Sequence, residues 1–288
     1  MVKRISIFNI VNVVILAIVA FSALFPFIHM AAVSLSASEF VVRNEVSFWP
    51  KGLQFEVYKE VFKDDRLFTG YRNTILYVVL GTAISLATTA MAAYSLSRSN
   101  LVFGKTIMMM IVFTMFFSGG MIPTYLVVRS YGFMNSIWAM VIPNMITSVY
   151  LIVMRTFFQG IPREVEESSK IDGASDYRMF FSIILPLSKA VLMTIGLFYA
   201  VAIWNNFFTA LLYLRDESLY PLQLIVRSIV MVGQVGEAID AAGADGEGVV
   251  LESLKYAVIL VSTLPILVIY PFIQKHFVNG VLIGSVKG

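Results

Sequence analysis

A stretch without a single charged residue occupies positions 74–96, TILYVVLGTAISLATTAMAAYSL. A helix of about 20 residues crosses the roughly 30 Å of hydrocarbon in a bilayer, so this stretch is long enough to span one. Similar apolar runs lie near residues 7–33, 107–128, 137–154, 180–214 and 256–273. The pattern predicts an all-α, polytopic membrane protein with six transmembrane helices in a single domain over residues 1–288.

The composition agrees with a membrane protein. Hydrophobic residues make up 58% of the chain and charged residues 14%, with a mean hydropathy of +0.82, whereas soluble domains are about 45 to 50% apolar and 25% charged. The first apolar run is longer than the roughly 7 to 15 residues of a cleavable signal sequence, so we expect it to be retained. Without cysteine, and with only His29 and His276 as imidazoles, the chain is expected to hold no metal.

Lysine and arginine in short loops predict the orientation, because cytoplasmic loops carry an excess of them. If the six spans are threaded in order, one side receives most of these residues: Lys3, Arg4, Arg98, Lys105, Arg155, Arg163, Lys170, Arg178, Lys275 and Lys287. The opposite side receives Arg129 in a short loop and two longer segments, 36–72 and 215–252. Both termini are therefore predicted to be cytoplasmic.

Small residues and helix breakers give the spans distinct faces and interruptions. In the second run a small residue recurs at every fourth position, at Gly81, Ser85, Thr89 and Ala93. Such a stripe lets a second helix approach closely in lipid, so it predicts a packing face. Residues that weaken the helical ladder predict breaks in later runs: Gly119-Gly120 with Pro123, Pro143, and Pro265 with Pro271.

One charged island interrupts the apolar sequence at residues 161–178, IPREVEESSKIDGASDYR. Every acidic residue between Arg72 and Arg215 lies in it. The runs on both sides are apolar enough to remain in lipid, so the charged island must protrude into water. The surface of another protein is the expected contact.

Local signals predict a helix, a tight turn and a second helix within the charged island. Pro162 suits the first turn of a helix, and the glutamates that follow are favoured by the helix dipole. Gly173 is a stop signal, because glycine adopts the left-handed conformation at little cost. Ser175 can cap the second helix, and Pro186 should bend that helix as it enters the membrane.

The set Glu167-Ser168-Ser169, Asp172-Gly173-Ala174 and Ile184-Leu185-Pro186 resembles the EAA loop of ABC-importer permeases. In that pattern a glutamate and two small residues precede a glycine, and a leucine-proline follows; here serines replace the usual alanines. The span order, Phe48-Trp49-Pro50 and the ending from Val278-Asn279-Gly280 to Lys287-Gly288 are similar to the maltose-type carbohydrate subfamily over essentially the whole chain. Within it, the chain most resembles permeases for oligosaccharides or for alginate- or pectin-derived polysaccharide fragments.

The resemblance implies a type I ABC importer permease fold in a bacterial inner membrane, in a subunit that catalyses nothing itself. The residues that it implies for ATPase coupling are Glu164, Glu167, Ser168, Ser169, Asp172, Gly173, Ala174 and Pro186. The residues that it implies for a C-terminal contact with the ATPases are Asn279, Gly280 and Lys287.

The resemblance also implies the other parts of the importer. A second homologous permease would complete a heterodimer in the lipid membrane, and two ATP-binding cassette subunits would bind ATP and Mg²⁺. An extracytoplasmic solute-binding protein would deliver an oligo- or polysaccharide. No nucleic acid and no cofactor in this chain are expected.

An aromatic and amide cluster is the candidate contact with the solute. Sugars are bound by aromatic faces and amide hydrogen bonds, so we select Trp204, Asn205 and Asn206, and we add Asn144, Tyr150 and Tyr199. The alternative is that the two asparagines hold helices together and that Trp204 is an interfacial anchor. The sequence favours neither interpretation.

The main alternative function is an ion-coupled secondary sugar transporter. Such a carrier usually needs carboxylates inside the bilayer, and all the carboxylates here fall outside the predicted spans. Spans without carboxylates would not repel an acidic sugar, and a neutral sugar is equally compatible. Gly104-Lys105-Thr106 is similar to the end of a phosphate-binding loop, but Ser99 replaces its first glycine, so ATP is expected on another chain.

Overall fold

The structure, a computed structural model, describes residues 7–240 and 252–268, apart from the side chains of Arg163 and residues 232–240. Within these residues every regular element is helical, in agreement with the predicted all-α class. The helices are α1 (Ile7–Ser34), α2 (Ser38–Val42), α3 (Glu56–Lys63), α4 (Asp65–Ser97), α5 (Gly104–Phe116), α6 (Met121–Ser130), α7 (Ile137–Val141), α8 (Ser148–Gln159), α9 (Arg163–Ile171), α10 (Asp176–Met179), α11 (Leu185–Leu187), α12 (Lys189–Trp204), α13 (Phe208–Tyr213), α14 (Leu222–Asp240) and α15 (252–268).

The chain forms two compact units. The first comprises the described parts of Met1–Leu67 and Ile225–Pro265, and the second those of Phe68–Leu224 and Ile266–Gly288. The first unit contains a small core around Ala32 and Val33 of α1. The second unit contains the charged island, with a core built from α4, α8 and α12. All the candidate functional residues that the structure describes belong to this second unit.

Helices α1 and α4 are each long and apolar enough to cross a bilayer. No residue in the most apolar 18-residue segment of α1 is buried. The side chains of this segment are therefore free to contact lipid or another subunit. Within the described residues, two helices meet this criterion. The number of candidate spans rises to four if each of two bent helix pairs forms a single span. Since α15 is described over 252–268 only, the count of six spans stays a prediction.

The third and fourth apolar runs are broken rather than straight. The chain bends by 118° between helices α5 and α6, and the predicted breakers Gly119 and Gly120 lie at this bend. The gap between α7 and α8 contains Pro143, which lacks the backbone N–H that a continuous helix would use. The breaks predicted at Gly119-Gly120 and at Pro143 are therefore confirmed. The break predicted at Pro265 is wrong, because α15 continues through that residue, and Pro271 lies outside the described residues.

The small-residue stripe of α4 forms the predicted packing face. Ser85, Thr89 and Ala93 are all buried. A β-carbon at Gly81 would lie 2.8 Å from Cδ1 of Ile203, so a larger residue there would require the end of the Ile203 side chain to move. Helix α12 can approach α4 closely only because these side chains are small.

Candidate functional site

The charged island folds as a helix, a tight turn and a second helix, as predicted. Helix α9 ends at Ile171, and the Gly173 N–H donates to the Lys170 carbonyl at 3.1 Å. Ser175 then caps α10, because its Oγ accepts the Arg178 N–H at 3.3 Å. One detail of the prediction is wrong: Pro162 occupies the capping position before α9 rather than its first turn, with an extended ψ of 138°.

Gly173 occupies a position that only glycine adopts readily. Its φ is +75°, in the left-handed region. A β-carbon added there would meet nothing within 4 Å, so the constraint is the backbone conformation and not the available space. The turn fixes the direction in which α10 leaves α9.

One face of α9 is open to the surroundings of the permease. The exposed residues on this face follow helical spacing: Glu164, Glu167, Ser168 and Ile171. Ser169 lies on the opposite side, 6% exposed, and its hydroxyl donates to the Val165 carbonyl at 2.6 Å. A small residue is needed where α9 packs against the rest of the second unit, and serine serves because its hydroxyl is satisfied within the helix.

Sequence reasoning missed two large apolar side chains at the tip of the charged island. Ile171 is 86% exposed and Tyr177 is 80% exposed, on either side of the Gly173 turn. Asp172 is also exposed, and Ala174 is half-buried. The signal was present in the sequence, since Ile171 and Tyr177 are the only large apolar side chains in residues 170–178.

The charged island continues into α12 through a bent connection. A π-helical turn, Phe180–Ile184, follows α10, and Pro186 lies in the short helix α11 after it. The axis then turns by 82° between Asp176–Leu187 and Lys189–Trp204. The predicted bend is present, although it lies just after Pro186 rather than at it.

Two of the candidate solute contacts, Tyr150 and Tyr199, lie together in the second unit. Their ring centroids are 4.8 Å apart in an edge-to-face arrangement. The hydroxyl of Tyr199 lies 2.7 Å from Oγ1 of Thr89 and accepts the Thr147 N–H at 3.0 Å. Tyr199 therefore links α4, α8 and α12, and its polar atom is already engaged.

The other candidates lie at breaks between helices. Asn206 caps the first turn of α13 from the position before Phe207, with its Oδ1 accepting the Thr209 N–H at 3.0 Å and its Nδ2 donating to Thr209 Oγ1 at 2.8 Å. Asn205 and Asn144 are exposed. Trp204 is buried, and its Nε1 has no hydrogen-bond partner among the residues that the structure describes. The tail residues Asn279, Gly280 and Lys287 lie outside the described residues.

We predict different outcomes for the two adjacent asparagines. Asn206→Ala removes a helix cap and should lower the free energy of unfolding by about 1 kcal/mol, as cap removals do. Asn205→Ala should leave thermal stability nearly unchanged, because the bond that its Nδ2 makes within the described residues is to the Val201 carbonyl one turn earlier, at 2.9 Å. It should alter the apparent KM for uptake if Asn205 contacts the sugar. Thermal unfolding of the purified complex and the apparent KM for uptake measure the two effects. If Asn205→Ala lowers stability without changing KM, Asn205 holds helices together and does not contact the solute.

A known family matches three quarters of the chain, including all the candidate functional residues that the structure describes. Residues 68–283 match the family model described as "Binding-protein-dependent transport system inner membrane component". The chain belongs to this family. It is the membrane component of an ABC importer, it is not an enzyme, and it works with ATPase and solute-binding partners.

Individual proteins are similar to the permease over nearly their whole lengths. It is 43% identical over 263 residues to the "Polygalacturonan/rhamnogalacturonan transport system permease protein YtcP" of Bacillus subtilis (strain 168), covering 91% of this chain and 92% of that one. It is 40% identical to "Protein LplC" of the same organism, covering 98% and 95%. A chain of a bacterial ABC transporter involved in the import of the acidic polysaccharide alginate matches with a TM-score of 0.86 and 34% identity, covering 94% and 96%. The type I permease fold predicted from the sequence is confirmed.

Proposed function

We propose that this permease forms half of the translocation path for acidic oligo- or polysaccharides, such as fragments of pectin or alginate. The observation that carries the proposal is the similarity, over more than nine-tenths of the chain, to two transport systems named for uronic acid polymers. The charge distribution supports it, because every acidic residue between Arg72 and Arg215 lies in the charged island. An anionic sugar in the path would meet no fixed negative charge from these spans.

Coupling to ATP hydrolysis is assigned to α9 and the Gly173 turn. The exposed face of α9, extended by Ile171 and Tyr177, fits a groove on a cytoplasmic ATPase subunit. A short helix braced by a fixed turn transmits a rigid-body displacement, which a flexible loop does not. Closure of the ATPases would therefore move α12 through the bent connection that follows the charged island.

The complete importer contains further chains. A second, non-identical permease completes the path, because six spans rarely enclose a conduit for a bulky sugar. Two ATPase subunits bind ATP and Mg²⁺, so this chain needs no cofactor of its own. The permease contributes six spans with both termini in the cytoplasm, and a solute-binding protein docks on its outer segments.

Purification of the assembled complex from membranes, followed by reconstitution with its binding protein, tests this function. We expect ATP-dependent uptake of trigalacturonate, and stimulation of ATP hydrolysis by the loaded binding protein. Maltotriose is the control, because it has the same number of sugar units and no carboxylates. Uptake of maltotriose alone would contradict the acidic substrate. Uptake driven by an ion gradient without ATP would instead indicate a secondary transporter.

A further inference from the structure

The coupling helix α9 has a second attachment to the membrane-spanning helices. Arg98 follows directly after α4, and its Nη1 forms an ion pair with Oε1 of Glu166 on α9. The two side chains are only 17% and 21% exposed, so the pair is largely shielded from water and screened little by salt. Neither residue belongs to the set that the EAA resemblance implies for coupling. The pair joins the end of the second predicted span directly to the first helix of the charged island.

Tyr94 extends this attachment to the segment beyond the turn. The Cζ atom of Arg98 lies 4.2 Å from the centroid of the Tyr94 ring, a cation–π distance. The same ring lies 4.9 Å from the Phe180 ring, and its hydroxyl donates to Sδ of Met179 at 3.5 Å. Met179 and Phe180 are buried. Tyr94 therefore contacts the residues where the chain leaves the charged island, and Arg98 holds the helix where the chain enters it.

The environment of Arg98 argues for a role beyond stability. Burial lowers the pKa of the Arg98 guanidinium, while Tyr94 and Asp176 oppose that shift. Its Nε and Nη2 are buried without a hydrogen-bond partner in the described part of the chain. Guanidinium donors left without acceptors are costly, and well-packed apolar residues in place of a buried ion pair are often as stable or more so. Because this burial lowers stability, we attribute to Arg98 a role in positioning α9.

We propose that the Arg98–Glu166 pair makes α9 move together with α4, so that ATPase closure displaces the second and fifth predicted spans at once. The reason is geometric. The covalent route from the charged island to α12 passes through a π-helical turn and an 82° bend, and a helix held at one end can pivot there. A second attachment at Glu166 fixes the orientation of α9 as well as its position. This proposal rests on the proposed function in one respect, that closure of the ATPase subunits is what moves α9.

Charge exchange tests the proposal in the reconstituted importer. Arg98→Gln and Glu166→Gln each break the pair, and each should lower the number of sugars imported per ATP hydrolysed by about threefold or more. The double variant Arg98→Glu with Glu166→Arg restores opposite charges and should recover most of the loss. Lys105→Gln is the control, because Lys105 is an exposed cation in the first turn of α5, the helix that follows α4 in the chain. A wild-type ratio in both single variants, or no recovery in the double variant, would overturn the proposal.

Cross-linking tests the same pair without any sugar. The natural chain has no cysteine, so Ser99→Cys with Lys170→Cys places its only two thiols at exposed residues, one next to Arg98 and one a helical turn after Glu166, and keeps the ion pair itself intact. We expect a flexible bismaleimide linker to join the two thiols in native membranes, both with and without ATP and vanadate. Mass spectrometry of the linked peptides detects the product. If no link forms, or if ATP and vanadate prevent it, α9 and α4 do not move together. Failure of trigalacturonate uptake in the unsubstituted complex would overturn the proposed substrate and leave this result standing.

Discussion

Replacing Gly173 by valine is expected to leave the permease folded in the membrane while uncoupling ATP hydrolysis from sugar uptake. Gly173 has a φ of +75°, which costs a residue with a β-carbon about 1 kcal/mol or more and a β-branched residue more than that. Nothing lies within 4 Å of the added β-carbon, so the variant relieves its strain by changing the backbone of the turn. The direction of α10 relative to α9 then changes. Uptake should fall about tenfold or more while hydrolysis continues, since small errors in position have large effects on coupled steps.

Gly132 provides a matched control for this substitution. It has a φ of +73°, and an added β-carbon there also meets nothing within 4 Å. It lies between α6 and α7, away from the charged island. Gly132→Val should therefore cost similar stability, measured by thermal unfolding, without changing the number of sugars imported per ATP. Normal uptake by Gly173→Val, or an equal loss of coupling in both variants, would show that the Gly173 turn does not transmit the movement.

Ile171→Asp is expected to abolish the stable association of the permease with its ATPase. Ile171 is 86% exposed at the tip of the charged island, where the ATPase subunit of the proposed function would bury it. A carboxylate placed in that apolar contact would be desolvated without a counter-charge, which costs several kcal/mol. About a hundredfold loss of affinity or more follows, since each 1.4 kcal/mol is tenfold. The fraction of ATPase that copurifies with a tagged permease measures the effect.

Val102→Asp is the control for this second prediction. Val102 is 72% exposed in the loop between α4 and α5, which is predicted to face the cytoplasm as well. It should retain a normal amount of ATPase, because it is not part of the charged island. Tyr177→Ala should weaken the association less than Ile171→Asp, since it removes apolar contact area but buries no charge. Equal retention of ATPase by the Ile171 and Val102 variants would place the ATPase contact elsewhere.

The sequence predicted those parts of the fold that depend on local signals. The stop at Gly173, the cap at Ser175 and the breaks near Gly119 and Pro143 each follow from the conformational preferences of one or two residues. The small-residue stripe of α4 was visible because helical periodicity places its members on one face. Hydrophobicity alone could not show that an apolar run is bent, because lipid exposure and helix continuity are separate properties.

The contacts that the sequence could not predict join residues far apart in the chain. Nothing local marks Glu166 as the partner of Arg98, because three glutamates lie close together on α9. Similarly, an aromatic residue in a span gives the same sequence signal whether it binds a sugar or a backbone amide. Only the structure shows that the Tyr199 hydroxyl accepts the Thr147 N–H. Asn206 is likewise a helix cap because α13 begins at Phe208, and the apolar run gave no sign of that break.

Photo-cross-linking from position 171 in the assembled importer tests the coupling role of the charged island most directly. With p-benzoylphenylalanine in place of Ile171, illumination should yield an adduct with an ATPase subunit, whereas the same group in place of Val102 should give none. Mass spectrometry of the adduct identifies the contacted chain. Adducts from position 171 that contain only lipid or the second permease, in a complex that still holds its ATPase subunits, would contradict the account.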